Sequence, residues 1–274
     1  MKVYCILSDD RAYRSKSPSM FTRVLKHLGI NGAYVPFMVK SDNLGQAVQS
    51  LRVLNIAGAN VTVPYKEMII PYLDILSEGA NIIGSINTIV RNGDELKGYN
   101  TNAIGIMDAL SNAGFDPEGK SALVFGTGGA ARAAVFILNW LRTNSVFVTG
   151  RNDEKIHQLV NRIGGEAVPL NTLMDKPPAV ELIVNATSVS SPEESPELAS
   201  IVEKLKVPGC QLLLDLNYGR AHNFWHEMAL RNHIRFMDGL SPLAYQARRT
   251  FALWTGLQVP PEEFVKALNG EMEQ

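Results

Sequence analysis

Ser121-Ala122-Leu123-Val124-Phe125-Gly126-Thr127-Gly128-Gly129-Ala130-Ala131 is the stretch whose reading decides the fold. A compact apolar run over 121–125 suits a buried strand, a glycine-rich turn follows at once, and the pattern predicts a helix over 131–141. The spacing fits G-x-G-x-x-G/A, with Gly126, Gly128 and Ala131 at the fixed positions and Gly129 and Ala130 between them. Such glycines on their own are weak evidence. Placed between a strand and a helix, they let backbone N–H groups approach a pyrophosphate at the positive end of that helix. The competing reading is a glycine-rich turn that serves packing alone.

The segments that follow extend this unit. A strand over 145–149 ends in Gly150-Arg151-Asn152-Asp153. An acidic residue at that place would bind a ribose 2′-hydroxyl, whereas an arginine suits a 2′-phosphate. Arg151 is the basic candidate, Lys155 adds charge, Asn152 offers an amide, and Asp153 is expected to cap the next helix over 154–163. The cofactor reading is therefore NADP rather than NAD. Strands are predicted at 167–168, 180–184, 212–216 and 235–237, with a solvated loop at 192–196. The strand ends deliver Asn185-Ala186-Thr187-Ser188, Asn217-Tyr218 and Asp238-Gly239. In a doubly wound sheet, loops at the carboxyl ends line the ligand crevice, so Thr187 is expected near the cofactor.

Before this unit the chain again alternates strands and helices, which indicates an α/β layer with mostly parallel strands. Strands are read at 3–7 and 33–39, and an amphipathic helix at 44–54. Ser15-Lys16-Ser17-Pro18 opens another helix, with Ser17 as its expected cap and Pro18 in its first turn; the serine hydroxyls can instead bind a hydroxylated ligand. Asn60-Val61-Thr62-Val63-Pro64-Tyr65-Lys66-Glu67 begins as apolar/polar alternation, the mark of a half-buried strand, and stops at Pro64. The turn aims Lys66 in a fixed direction. A lysine acts as acid or base near neutral pH when desolvation lowers its pKa from about 10.4; a solvated lysine at a helix start is the ordinary alternative. That helix is predicted to run to about residue 76, with a short one at 80–83. A hairpin around Asn92-Gly93 carries Asn87 on one arm and leads to Asn100-Thr101-Asn102, where Asn102 is the natural cap of a helix over 103–113. Near the end, a helix over 242–254 puts Gln246 on a mostly apolar face, where a buried amide needs partners, and a last helix covers 261–268.

Composition sets limits. The 274 residues are 46% hydrophobic, enough for a large core in one or two domains, and carry a net charge of −1, which gives no global field for nucleic acid or an anionic membrane. No stretch of about 18 apolar residues occurs, and Cys5 and Cys210 sit in apolar, strand-like surroundings as core thiols of a reducing compartment. His222 and His226 lack a third ligand nearby and read as a surface pair, so no metal is expected. These features describe a soluble, cytoplasmic protein.

The ordered series resembles the shikimate/quinate dehydrogenase family over nearly the full length. It runs through Ser15-Lys16-Ser17-Pro18, Gly58 to Glu67, Ile86-Asn87-Thr88, Gly98-Tyr99-Asn100-Thr101, the Gly126 loop, Asn185-Ala186-Thr187, Asp215-Leu216-Asn217-Tyr218, Asp238-Gly239-Leu240, Gln246 and Trp254-Thr255-Gly256. The resemblance implies a two-domain α/β protein: a substrate domain from 1–102 and 240–274, and a Rossmann-type NADP domain over 103–239. It implies that Ser15, Ser17, Thr62, Asn87, Tyr218 and Gln246 hold a shikimate-like ring acid, that Lys66 handles the proton, and that Gly239 lies by the nicotinamide. The family reads Asn-Thr-Asp where this chain has Asn100-Thr101-Asn102; its aspartate bonds the reacting hydroxyl and pairs with the lysine, and Asn102 cannot carry that charge. The loop from Asp9 to Arg14 replaces a Gly-Asn-Pro-Ile-x-His run, and Leu240-Ser241-Pro242-Leu243 replaces a Gly-Met-Leu sequence. The expected function is NADP-dependent interconversion of shikimate, or a relative such as quinate, and its 3-dehydro ketone. A non-catalytic sensor binding NADP or a shikimate-like ligand stays open as the alternative, and the assembly stays open between monomer and homodimer.

Overall fold

The computed structural model describes residues 1–271. In chain order the elements are β1 (Lys2–Ser8), α1 (Ser17–His27), β2 (Gly32–Met38), α2 (Leu44–Val53), β3 (Gly58–Val61), α3 (Tyr65–Met68), β4 (Ile75–Leu76), α4 (Glu78–Ile83), β5 (Thr88–Asn92), β6 (Glu95–Tyr99) and α5 (Asn102–Asn112). They continue with β7 (Ser121–Phe125), α6 (Gly129–Trp140), β8 (Ser145–Thr149), α7 (Asp153–Ile163), β9 (Glu166–Ala167), α8 (Leu170–Asp175), β10 (Leu182–Asn185), α9 (Pro196–Lys204), β11 (Leu212–Asp215), α10 (Phe224–Arg231), β12 (Arg235–Met237), α11 (Leu240–Thr255) and α12 (Pro261–Asn269). Contacts divide the chain into two compact units, Met1–Gly105 with the segment from Leu243 onward, and Ile106–Pro242.

The first unit holds a six-stranded sheet in the order β2-β1-β3-β5-β6-β4. Only β5 runs against its neighbours, so the sheet is mostly parallel. Both faces are covered. Cys5 and Leu7 of β1 point to a core with Leu44, Val48 and Leu51 of α2. Tyr4 and Ile6, on the alternate face, meet Phe21 and Leu25 of α1, Phe251 and Trp254 of α11, and Phe264 of α12. A strand buried on both faces reads as a continuous apolar run, and β1 does. The same burial overturns the half-buried reading of the Asn60 segment, since all four residues of β3 are buried. Strand β3 lies between β1 and β5 in mid-sheet and has no solvent face.

The second unit holds an all-parallel sheet in the order β12-β11-β10-β7-β8-β9. Its strands run outward in both directions from β7 and β10, which is the doubly wound order with its switch point between those two strands. Leu123, Phe125, Ile183 and Leu213 pack with Phe224, Trp225 and Met228 of α10 on one side.

Two readings of local structure need correction. The helix expected from the Lys66 turn to residue 76 ends at Met68, because Pro71 removes an N–H and crowds the preceding turn. A single 3₁₀ turn, Ile70–Tyr72, and the short β4 follow. Helices α8, α9 and α10 had no sequence-based assignment.

One close approach fixes the first unit's layers. Tyr4 stacks on Trp254 with centroids 4.7 Å apart, and Trp254 Nε1 donates to the Ile89 carbonyl at 3.0 Å. Gly58 leaves room for that indole: a Cβ there would stand 2.2 Å from Nε1. We expect Gly58→Ala to destabilise by about 2–3 kcal/mol through overpacking and loss of the indole bond, lowering the thermal midpoint by about 5–10 °C. A midpoint within a degree of wild type would mean that the indole is free to retreat.

Candidate active site

The first unit's polar residues converge on the strand ends. The loop that departs from the family pattern folds as a 3₁₀ turn, Asp10–Arg14, capped by the Asp9 carboxylate. Arg11 clamps Asp9 through Nε and Nη2 at 2.8 and 2.6 Å, and hydrogen bonding to this guanidinium holds the Asp9 carboxyl below its usual range. The loop delivers Ser15, whose Oγ accepts the Ser17 N–H at 3.2 Å. Ser17 is therefore not the helix cap that its sequence position suggests; it is the first residue of α1. Its buried hydroxyl bonds the Tyr34 phenol, whose pKa burial pushes well above 10.

From Tyr34 a chain of buried amides and hydroxyls crosses the sheet. The Tyr34 hydroxyl donates to Asn60 Oδ1 at 2.8 Å, and Asn60 Nδ2 donates to the Asn87 carbonyl at 3.0 Å and to Thr88 Oγ1 at 3.2 Å. The Thr88, Thr101 and Thr250 hydroxyls lie 2.9 to 3.3 Å from one another. Thr101 Oγ1 reaches Gln246 Oε1 at 3.0 Å, and Asn87 Nδ2 lies within 3.0 Å of Thr101 Oγ1, Asn102 Oδ1 and Gln246 Oε1. Gln246 thus has the partners that a buried amide requires, including the Leu243 carbonyl at 3.1 Å.

Asn102 is not the cap of α5 that its position suggested. Asn100 Oδ1 takes the N–H groups of Asn102 and Ala103 at 3.1 and 3.3 Å, and Asn102 is the first helical residue. With Asn100 in the capping role, the Asn102 side chain is left for Asn87. Lys66, in α3, is tied to the same neighbourhood by its backbone, whose carbonyl accepts the Ile86 N–H at 2.8 Å. Among the described residues its Nζ has no hydrogen bond or ion pair. Burial, without an opposing carboxylate, pushes its pKa from 10.5 down to about 8. Thr62, half-buried at the end of β3, has its N–H on the Leu7 carbonyl at 3.2 Å. Tyr218, half-buried after β11, belongs to the second unit.

In the second unit, Gly126 adopts φ +116 and lies against the Ala186 backbone, where an added Cβ would stand 3.0 Å from the Ala186 carbonyl. Helix α6 begins at Gly129 with Gly128 as an uncapped N-terminus, so no side chain takes its first N–H groups. An open glycine cradle at an uncapped helix start fits a pyrophosphate. Ala130 is in the first turn of α6, and Gly150 sits beside the loop, its Cβ position 3.5 Å from Thr127 Cγ2. Arg151 and Lys155 are exposed just beyond β8. Asn152, not Asp153, caps α7, its Oδ1 accepting the Lys155 N–H at 2.9 Å. Asp153 is the first helical residue instead.

A polar knot fixes the neighbouring strand ends. The buried Asp215 carboxylate accepts from Asn185 Nδ2 at 2.8 Å, from the Asn217 N–H and Nδ2 at 3.0 and 3.1 Å, and from Asn223 Nδ2 at 2.7 Å. The Thr187 hydroxyl is used within its own turn, on Asn185 Oδ1 at 2.7 Å and Val189 at 3.1 Å, and its backbone is held as well, the N–H donating to Asn185 Oδ1 at 3.1 Å and the carbonyl accepting from Asn217 Nδ2 at 2.9 Å. Gly239 could carry no side chain, since a Cβ would stand 2.3 Å from the Leu216 carbonyl.

Sequence reasoning missed Tyr34, Asn60, Thr88 and Thr250 as partners of this site. Their signal was polarity inside apolar segments: Asn60 within β3, and Thr250 four residues after Gln246 on one face of α11.

Known proteins resemble this chain over both units. A model described as the shikimate dehydrogenase substrate binding domain matches residues 10–89, and one described as shikimate/quinate 5-dehydrogenase matches residues 109–221. A protein of Desulforamulus reducens named shikimate dehydrogenase (NADP(+)) is 37% identical over 267 residues, 94% of this chain and 91% of the relative. The chain belongs to the shikimate dehydrogenase family. The Aquifex aeolicus shikimate dehydrogenase structure shares the fold at a TM-score of 0.87 and 30% identity, covering 98% of this chain and 97% of that one. The Thermus thermophilus enzyme, solved with NADP(H) and shikimate, gives 0.86 and 31%, covering 98% and 99%. The two-domain α/β class with a Rossmann-type domain, which the resemblance implies, holds.

The lowered Lys66 pKa makes a stability prediction. Between about pH 8 and pH 10.4 the unfolded chain binds more protons than the folded one, so the cost of burying the ammonium is complete below about pH 8 and fades as pH rises through that window. Lys66→Met is expected to raise the denaturation midpoint at pH 7 and to give a smaller gain at pH 10. Equal gains at both pH values would show that packing, not charge burial, sets the difference.

Proposed function

We propose that the chain is an NADP-dependent dehydrogenase that interconverts shikimate, or a closely related ring acid such as quinate, and its 3-dehydro ketone. The observation that carries this reading is the buried Asn87–Thr101–Gln246–Asn102 network in the same unit as a lysine whose pKa burial brings down to about 8. Relatives at this identity are named as NADP(+)-dependent shikimate dehydrogenases, and the Thermus thermophilus neighbour was solved with both ligands.

Oxidation removes a hydride from the carbinol carbon and a proton from its hydroxyl. Bound NADP supplies the hydride acceptor. Lys66 Nζ, in its uncharged form, takes the hydroxyl proton and returns it in the reverse direction. Asn87 and Gln246, held rigid by the threonine hydroxyls, orient ring hydroxyls, and Ser15, Ser17, Thr62 and Tyr218 contribute the remaining polar contacts to the ring and its carboxylate. On the cofactor side, Gly126, Gly128, Gly129 and Ala130 form the pyrophosphate cradle, and Gly150 and Asn152 shape the strand end that presents Arg151 and Lys155 to the 2′-phosphate. Thr187 and Gly239, in the turns that follow β10 and β12, would line the nicotinamide position.

Lys66, Asn87 and Gln246 favour turnover over the sensing alternative. The near-neutral net charge, and the finding that no helix among the described residues is long and apolar enough to cross a membrane, support a soluble cytoplasmic enzyme with a small-molecule substrate, acting as monomer or homodimer.

The deciding experiment follows NADPH formation with shikimate and with quinate, each with NADP and with NAD. Turnover is expected with NADP and at least one ring acid; ligand binding without turnover for either acid favours the sensor. Arg151→Ala should weaken NADP at least about tenfold while leaving NAD nearly unchanged, as loss of a charge-assisted phosphate contact predicts; equal losses contradict its role. The kcat/KM for oxidation should rise with pH through about 8 as Lys66 loses its proton.

A further inference from the structure

The hydrogen bonds around Asn87 determine which atom of Asn102 is left for a ligand. The Thr101 backbone N–H, which only donates, lies 2.7 Å from one side-chain atom of Asn87, so that atom is the oxygen. The Asn87 amide nitrogen therefore faces the other way, toward Thr101 Oγ1 at 2.8 Å and toward Asn102 and Gln246 at 3.0 Å each. Gln246 is fixed independently: its nitrogen donates to the Leu243 carbonyl at 3.1 Å, which leaves its oxygen for Asn87. Asn102 must likewise present its oxygen to Asn87, since the reversed amide would set two N–H donors against each other. Its Nδ2 group is what remains. Among the described residues that group has no hydrogen-bond partner, and the residue is half-buried at the start of α5.

An aspartate at this place would meet Asn87 equally well through one oxygen. The difference lies in the other atom: a carboxylate offers an acceptor, and Asn102 offers only donors. An alcohol gives its proton to a carboxylate and so binds as the hydroxyl. A carbonyl oxygen has lone pairs and no proton; it is repelled by a carboxylate and matched by an amide N–H.

We infer that Asn102 Nδ2 donates a hydrogen bond to the reacting oxygen of the substrate and so makes this site selective for the ring ketone over the ring alcohol. This rests on the dehydrogenase reading above and specifies which of its two ligands the site favours. The alcohol can still bind, accepting from Asn102 while its own proton goes to Lys66, but the preference common to an acidic residue is inverted. The positive end of α5, an 11-residue helix, lies beside this donor and favours the oxygen as it gains negative charge.

The test is equilibrium binding, without cofactor, of shikimate and of its 3-dehydro ketone to the full chain at pH 7, for wild type, Asn102→Asp and Asn102→Ala, with thermal melts to confirm folding. Wild type is expected to bind the ketone more tightly than the alcohol. Asn102→Asp should weaken the ketone at least about tenfold while the alcohol stays within about threefold, and Asn102→Ala should weaken the ketone by about five- to tenfold, the usual loss for one hydrogen bond. An unchanged ketone-to-alcohol ratio in both variants overturns the role of Asn102 and leaves the dehydrogenase reading standing. Failure of wild type to bind either compound overturns both. Should Asn102→Asp not fold, the Asn102→Ala ratio alone decides.

Discussion

A single backbone hydrogen bond, from the Thr101 N–H to Asn87 Oδ1 at 2.7 Å, sets the polarity of everything around it. Amides are ambiguous on their own, because either end can be turned toward a neighbour. A main-chain donor removes that freedom, and the orientation then passes from Asn87 to Asn102, while the Leu243 carbonyl holds Gln246 in the matching sense. The threonine hydroxyls, each both donor and acceptor, close the network behind it. Thr88 and Thr250 are fully buried and Thr101 nearly so. A buried polar group without a partner costs about 1–3 kcal/mol, so a network with several such groups is tolerable only because each is matched. The same requirement makes it rigid.

The second unit solves a similar problem with charge. Asp215 is fully buried, and four donors from three asparagine residues converge on its two oxygens. Those asparagines come from two connections: Asn185 ends β10, while Asn217 and Asn223 stand at the two ends of the segment between β11 and α10. One buried carboxylate thereby holds the backbone of the strand ends beside the glycine loop. Uncompensated, a buried carboxylate would be prohibitively costly; fully bonded, it sets loop geometry more firmly than apolar contacts can, because its donors have direction.

What was legible in the sequence was local. The strand–glycine–helix pattern at Ser121 to Ala131 and the aimed turn at Lys66 need only neighbouring residues to be understood, and β8 and β12 fall where alternation and turn residues put them. The site's framework was not local. Tyr34, Asn60, Thr88 and Thr250 meet only because β3 lies between β1 and β5 and because α11 packs on that face of the sheet. Adjacent residues of equal chemistry also defeated the reading: Asn100 and Asn102 can each cap a helix, as can Asn152 and Asp153, and backbone geometry chooses between them. Helices α8 to α10 went unread, although α9 opens on the Ser195 cap with Pro196 in its first turn, inside the segment that reads as a solvated loop. In β3, alternation misled because its polar residue, Asn60, is buried against partners that arrive from elsewhere in the chain.

The two departures in proton chemistry, a lysine without a carboxylate and an amide in the acid's place, act in the same direction. With a pKa of about 8, roughly one Lys66 in ten is uncharged at pH 7, which in the proposed reaction slows proton removal from an alcohol by about tenfold against a fully deprotonated base. In the reverse direction the proton donor is already about nine-tenths populated. Restoring a carboxylate would raise the lysine's pKa by Coulombic attraction and add an acceptor for the hydroxyl, so the two changes would partly offset in oxidation: fewer free bases, better-oriented alcohols. In reduction they would not offset, because the donor population has little left to gain while the carbonyl acquires a repulsive neighbour. On the proposed reading, the amide at position 102 and the partnerless lysine therefore form a coherent pair for delivering a proton to an oxygen that begins without one.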